Sequence, residues 1–199
     1  MFQVRPGAAT AFDPVLLSDH VLLRAPAVRD FESWSVLRAK SRAHLTKWED
    51  DWQPKDVTPA AFRRRIRFWD RQRRSLACLS LFAFELDSDA LIGGVTLSNI
   101  RYGASRSGVI GYWVGDGFLR RGYGRLIVRE TLRHAFDHIG LNRIEAACQP
   151  ENQASARLLE GLGFEREGRA RGYLKINDVW RDHDIYAVTA ADWSSQVQD

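Results

Sequence analysis

Apolar positions along the chain switch several times between strand-like and helix-like spacing. Residues 21–25 read as a first strand and Phe31–Leu45 as a helix, with Asp30 as its N-cap. Thr58-Pro59-Ala60-Ala61 starts a second helix, in which Phe62, Ile66 and Trp69 form one apolar stripe. Residues 79–86 and 91–99 read as strands joined through the turn composition Asp87-Ser88-Asp89, an antiparallel pair. A polar loop over 101–108 leads to residues 109–114, rich in β-branched and aromatic side chains. Further on, Ile127, Val128, Leu132, Ala135, Phe136 and Ile139 recur at helical spacing. Residues 142–148 suggest another strand. Asn152 then caps a helix with Leu158, Leu159 and Leu162 on its apolar side and Gly163 at its stop, and a last strand falls near 182–188. The predicted fold class is α/β, a mixed sheet between helical layers. Without linkers or repeats, residues 1–199 form a single domain in this reading.

Leu119-Arg120-Arg121-Gly122-Tyr123-Gly124-Arg125 lies where the 109–114 strand ends and the next helix begins. Glycine lets backbone approach a ligand closely. The unpaired N–H groups and dipole of a helix's first turn suit phosphate oxygens, and Arg120, Arg121 and Arg125 add positive charge. Taken alone, the same residues also fit an ordinary strand-to-helix turn with solvated arginines.

The order strand, glycine-rich loop, helix, strand, Asn-capped helix and Gly-Phe resembles the GNAT acyl-coenzyme A N-acyltransferases. Their pyrophosphate loop is written Gln/Arg-x-x-Gly-x-Gly/Ala, and Leu119 replaces its first polar residue here. A further resemblance lies in Gly163-Phe164-Glu165-Arg166-Glu167-Gly168, in the segment from Gly172-Tyr173-Leu174 to Trp180-Arg181-Asp182-His183, and in Leu45-Thr46-Lys47-Trp48-Glu49. These segments are similar to the RimJ-type ribosomal-protein-alanine N-acetyltransferases. The resemblance implies a three-layer GNAT fold with a mostly antiparallel sheet. Its central strands near Val109 and Asn142 splay, so that the pantetheine arm of acetyl-CoA pairs with backbone near Tyr112, Trp113 and Val114. It implies transfer to the N-terminal amine of a protein, with small-molecule amines or a non-catalytic acyl-CoA-binding module as alternatives.

The general chemistry asks little of the protein. A neutral amine must meet the thioester, the oxyanion must be stabilised and the leaving thiolate must gain a proton. An α-amine titrates near ~7.7–8.0, so no strong base is required. The resemblance assigns oxyanion stabilisation to a backbone N–H near Trp113 or Val114. It points to Ser155, at the Asn-x-x-Ser position, as the thiol-contacting acid, and to Asn152 as coenzyme contact as well as cap. Ser155 also fits a first-turn serine bonded to backbone. Glu145 is the candidate base, one pleat from the site where relatives place a glutamate. A salt bridge to Arg143 or Arg166 is its other reading. Val109 replaces a family carboxylate. Trp48 and Glu49, with Asp50, Asp51 and Trp52, read as a substrate rim or a solvated loop, and Tyr173 as substrate-facing.

Composition narrows the rest. Of 199 residues 45% are hydrophobic, enough for a sizeable core, and no apolar run approaches the ~20 residues of a membrane span. Residues 1–14 lack a signal-peptide pattern, so a cytoplasmic location is expected. Cys78 and Cys148 read as buried thiols. The net charge is +4, and seven arginines crowd Phe62 to Arg74. They suggest a solvated amphipathic face or a ribosome-facing patch, without sequence-specific nucleic-acid recognition. His134 and His138, at i, i+4, read as a solvated pair, His183 as a structural hydrogen-bonder, and no metal site is expected. A monomer or a homodimer is expected.

Overall fold

The computed structural model describes residues 13–196, so residues 1–12 of the N-terminal reading lie outside the described residues. Leu16–Leu17 (β1), Val21–Arg24 (β2), Leu79–Glu85 (β3), Leu91–Arg101 (β4), Ser107–Val114 (β5), Arg143–Cys148 (β6), Glu165–Ile176 (β7) and Val179–Thr189 (β8) form one sheet. Its strand order is β1-β2-β3-β4-β5-β6-β8-β7, and every pair is antiparallel except β5 with β6. Phe31–Leu45 (α1), Pro59–Arg74 (α2), Tyr123–His134 (α3), Gln153–Glu160 (α4) and Ala190–Gln196 (α5) are the helices. The expected three-layer α/β arrangement is present.

β3 is buried at every position but its last, because helices cover both of its faces. Leu79, Leu81 and Ala83 enter a core with Ile127, Val128 and Leu132 of α3. Phe82 and Phe84 face the opposite way, into a second core with Trp34 and Leu37 of α1 and Phe62 and Ile66 of α2. The stripe read on α2 is therefore real, with Trp69 packed at its margin. Thr58 caps α2 by accepting from the Ala61 N–H at 3.2 Å.

Three local expectations are corrected. Asp30 precedes α1 but makes no side-chain cap to it. Its carboxylate instead binds the Arg24 guanidinium at 2.7 and 2.8 Å and the Ala27 N–H at 2.7 Å, a stronger charge-assisted set. His134 is buried and stacks on His138 with ring centroids 5.1 Å apart, so only His138 faces solvent. β7, twelve residues long, goes beyond any predicted strand. Most of its positions are exposed on both faces, so backbone pairing with β8 defines it and no apolar alternation announces it.

Candidate active site

β5 and β6 pair only over Ser107–Val109 with Arg143–Glu145, and beyond that register they diverge. The divergence leaves one edge of β5 without a strand partner. Gly115 N–H donates to Ile92 O at 2.8 Å, and the Trp113 carbonyl lies against Gly93, so both groups face β4. Alternation along the strand then turns the N–H and C=O of Tyr112 and Val114 toward the gap. Of the two expected oxyanion donors, the backbone of Val114 faces the opening and that of Trp113 does not.

The glycine loop follows immediately. Gly122 takes φ +84° as the N-cap of α3, a left-handed conformation that glycine adopts at no steric cost. The first helical bond runs from Leu126 N–H to Gly122 O, leaving the amides of Tyr123, Gly124 and Arg125 without acceptors among the described residues. These amides and the α3 dipole point the same way, an arrangement that can receive an anion. Gly124 has a second role: a Cβ there would stand 2.9 Å from the Leu158 Cδ1 of α4, so its absence lets the two helices approach. Arg120, at φ +58°, and Arg121 are exposed around the turn, and Leu119 ends the short helical turn Asp116–Phe118. Arg125 extends to the end of α4, with a terminal nitrogen beside Gly161.

Glu85 at the end of β3 pins this loop. Its carboxylate accepts from the Tyr123 hydroxyl and lies 3.5 Å from an Arg121 nitrogen. Hydrogen bonds from Ser88 and Tyr123, with the Arg121 charge, hold the Glu85 carboxyl below its ordinary range. Nothing local in the sequence singles out Glu85, which is brought to the loop by sheet topology.

Across the gap, Asn152 caps α4 by accepting from the Ser155 N–H at 3.2 Å. That leaves the Ser155 hydroxyl free for another partner, which is the Tyr112 hydroxyl at 2.8 Å. Burial pushes the Tyr112 pKa up to about 12, against a smaller opposing effect of the Ser155 hydrogen bond. Ser155 also reaches the Cys148 thiol, whose pKa burial raises. Cys148 is buried and Cys78 partly so, and both are free thiols. The pairing of Tyr112 with Ser155 was not visible in sequence, where Tyr112 counted only as backbone.

Glu145 sits at the closed end of the gap, opposite Val109, and alternates away from the core that holds Ile144, Ala146 and Cys148. Arg143 Nε donates to it at 2.9 Å, and the same guanidinium binds Glu167 at 2.5 and 2.7 Å. Of its two readings, the ion pair is the one the geometry displays.

On the α1/α2 face of the sheet, beside Trp113, lies a cavity of about 460 Å³. Trp34, Trp52, Trp69 and Phe82 form its aromatic walls, and Glu49, Asp50, Asp51, Asp56, Arg38 and Arg65 its charged ones. Glu49 thus stands where a substrate rim was expected, whereas Trp48 is not among the walls. The Arg38 guanidinium lies 4.0 Å from the Trp52 ring centroid, 5.3 Å from that of Trp113 and 2.6 Å from Glu49 Oε1. The β7–β8 turn closes on this rim. Asn177 N–H donates to Asp50 at 2.8 Å, its side-chain oxygen accepts from Asp51 N–H at 2.7 Å, and its amide nitrogen donates to Thr46 O at 2.9 Å. Tyr173 is exposed on β7 and packs against His183, which is buried and bonded to the Arg181 carbonyl at 3.2 Å. Among the described residues no cluster of metal-ligating side chains occurs, and no helix is long and apolar enough to cross a membrane.

The family model for an acetyltransferase (GNAT) domain matches residues 20–165. The probable N-acetyltransferase YjcK of Bacillus subtilis is 34% identical over 162 residues, covering 81% of this chain and 82% of that protein. The [ribosomal protein uS5]-alanine N-acetyltransferase of Escherichia coli is 28% identical over 181 residues, 90% and 92% of the two chains. Among solved structures, Mycobacterium smegmatis RimJ in complex with CoA-disulfide superposes with a TM-score of 0.85 at 26% identity, over 94% of this chain and 96% of that one.

Proposed function

Because the chain belongs to the GNAT acetyltransferase family, we propose that it transfers an acetyl group from acetyl-CoA to the N-terminal α-amine of a protein. The acceptor in this reading is a ribosomal protein beginning with alanine or serine; a ribosomal protein's alanine is what the names of the relatives in Escherichia coli and Vibrio fischeri print. The observation that carries it is the open edge of β5, with the anion cradle at one end and the Ser155–Tyr112 pair beside it. The coenzyme supplies an activated thioester. Every other contribution comes from this chain's own groups.

The amides of Tyr123, Gly124 and Arg125 hold the pyrophosphate, with Arg120, Arg121 and Arg125 adding charge and Leu119 only backbone. The backbone of Tyr112 and Val114 pairs with the pantetheine arm, and the Val114 N–H polarises the acetyl carbonyl. Trp113 keeps its backbone bonded toward β4 and gives its side chain to the acceptor cavity. Asn152 presents the remaining edge of its amide to the arm while capping α4. Ser155 Oγ donates a proton to the leaving sulfur and is reprotonated through the Tyr112 hydroxyl, which takes a proton from water in turn and so stays neutral over the physiological range. A neutral α-amine attacks directly, and its surplus proton leaves through water. Glu145, held by Arg143, serves the sheet edge in this scheme rather than the reacting atoms. In this reading Trp48 and Tyr173 meet the acceptor outside the cavity, of whose walls neither is part, and Glu49 sets the position of Arg38 within it.

The whole chain acts as one domain in the cytoplasm. The exposed Arg63, Arg64, Arg67, Arg71 and Arg74 of α2 supply electrostatic attraction to the ribosome. Incubating the full chain with acetyl-CoA and alanine- or serine-starting ribosomal peptides, beside polyamines and aminoglycosides, tests the reading through thiol release with mass confirmation. Acetylated peptide, slowed by Ser155→Ala, is the expected result. Acetylation confined to small amines would overturn the acceptor class.

A further inference from the structure

We infer that the cavity beside Trp113 is an anion subsite, in which Arg65 receives a carboxylate carried by the acceptor close to its reacting amine. The inference rests on the acetyltransferase reading and names the acceptor class more narrowly.

The cavity wall looks acidic in sequence, yet its acids are already engaged. Glu49 pairs with Arg38 at 2.6 Å and Asp51 with Arg42 at 2.6 Å. Asp50 accepts from the Asn177 N–H at 2.8 Å, and Asp56 from the Gln53 N–H at 2.9 Å. Arg65 is the exception. It makes no hydrogen bond or ion pair among the described residues, and its guanidinium lies only over aromatic rings, 5.3 Å from Trp34 and 5.9 Å from Trp69. Asp56 and Glu49 attract it from a distance without reaching ion-pair contact, whereas Arg38 repels it. Burial, the larger effect, and that repulsion together lower its pKa. Asp50 and Asp56, bonded by neutral N–H groups, keep their charge, but among the described residues Arg65 is the cavity guanidinium whose donors are all unspent.

A guanidinium fork flanked by aromatic rings matches a carboxylate in two parallel hydrogen bonds, and the rings limit the orientations it can take. The amine end is fixed by topology: Trp113 walls the cavity and is followed directly by Val114, whose backbone faces the coenzyme gap. An acceptor can thus place its amine at the gap and its carboxylate at Arg65. Two sources carry that chemistry, an acidic second residue of a protein N-terminus and a free amino-carboxylate.

The test uses the full chain and matched acceptors: Ala-Glu and Ala-Gln peptides otherwise identical, and γ-aminobutyrate beside 4-aminobutanamide. The acetylated peptides, titrated against the CoA-loaded protein by tryptophan fluorescence, give a readout that needs no turnover. Wild type should favour the carboxylate member of one pair by about tenfold in KM or in binding, the scale of one charge-assisted pair. Arg65→Gln should erase that preference, with at least a fivefold smaller effect on the neutral member and none on the KM for acetyl-CoA. Arg65→Lys should restore part of the preference, separating lost charge from lost folding. A preference in the peptide pair identifies a protein source, and one confined to the small pair identifies a metabolite. Indifference of wild type to the carboxylate in both rate and binding overturns the inference, as does an equal loss for both members in Arg65→Gln. Absence of turnover with every acceptor removes the acetyltransferase reading, while the binding arm still decides the subsite.

Discussion

Replacing Tyr112 by Phe, Ser155 by Ala, and both together tests whether the two hydroxyls act as one proton-delivery unit. Their oxygens lie 2.8 Å apart in a mostly buried site. Ser155→Ala leaves a buried phenol without its partner, which costs about 1–3 kcal/mol of stability, whereas Tyr112→Phe removes one hydrogen bond at about 1 kcal/mol. The double variant strands no phenol and should lose less than Ser155→Ala alone, a coupling of about 1–3 kcal/mol. In kcat, Ser155→Ala removes the group proposed as acid to the leaving sulfur and should cost about 10²-fold or more. Tyr112→Phe acts only through Ser155 and should cost about tenfold, with no further loss once Ser155 is gone. Alkaline denaturation supplies an independent readout. The Tyr112 pKa is raised from 10 to about 12 in the folded chain, so the protein is at full strength below pH 10 and loses stability as pH rises toward 12. That loss, about 3 kcal/mol for two pKa units, should be absent from Tyr112→Phe. Additive effects on both kcat and unfolding midpoint, or full activity in Ser155→Ala, would refute the coupled-pair reasoning.

Glu85→Gln should release Tyr123 and Arg121 and raise the KM for acetyl-CoA several-fold with kcat little changed, as steady-state kinetics would reveal; an unaltered KM would remove Glu85 from the binding loop. Gly93→Ala would put a Cβ 2.3 Å from the Trp113 carbonyl, forcing β4 from β5 just before Val114. It should cost about 1–3 kcal/mol in denaturant unfolding and lower kcat, and a neutral outcome would show that the ladder can shift. Asp184 binds Arg166 at 2.7 Å and Arg169 at 2.8 Å, which holds its carboxyl well below the usual carboxylate range. That stability is present above the unfolded pKa and lost as pH falls below it, so Asp184→Asn should cost about 1–2 kcal/mol at pH 7 and much less in strong acid. A constant difference from neutral to acid pH would show that shape, not charge, matters at Asp184.

The parts of this protein that could be read directly were those whose chemistry is local. Gly122 and Gly124 at a strand end, Asn152 and Thr58 at helix starts, and the Phe62–Ile66–Trp69 stripe each express a preference of a few consecutive residues, and each recurs in the structure. β7 escaped for the same reason in reverse: its side chains face solvent on both sides, and only backbone bonds to β8 hold it extended. The Asp30 cap failed because Arg24, at the end of β2, offered two charged hydrogen bonds against one neutral cap. The decisive contacts of the site span long stretches of chain. Tyr112 meets Ser155 across 43 residues, Glu85 meets Tyr123 across 38, and Asn177 meets Asp50 across 127. Charge behaves likewise: Glu49, Asp50 and Asp51 read as a substrate rim, yet folding pairs Glu49 with Arg38 and Asp51 with Arg42 and leaves Arg65 without ion-pair contact among the described residues. Sequence determines which residues favour a turn, a cap or a buried face, because those energies depend on neighbours along the chain. Which carboxylate is neutralised, and which hydroxyl is left to a substrate, depends on distances that exist only once the sheet has brought remote strands together.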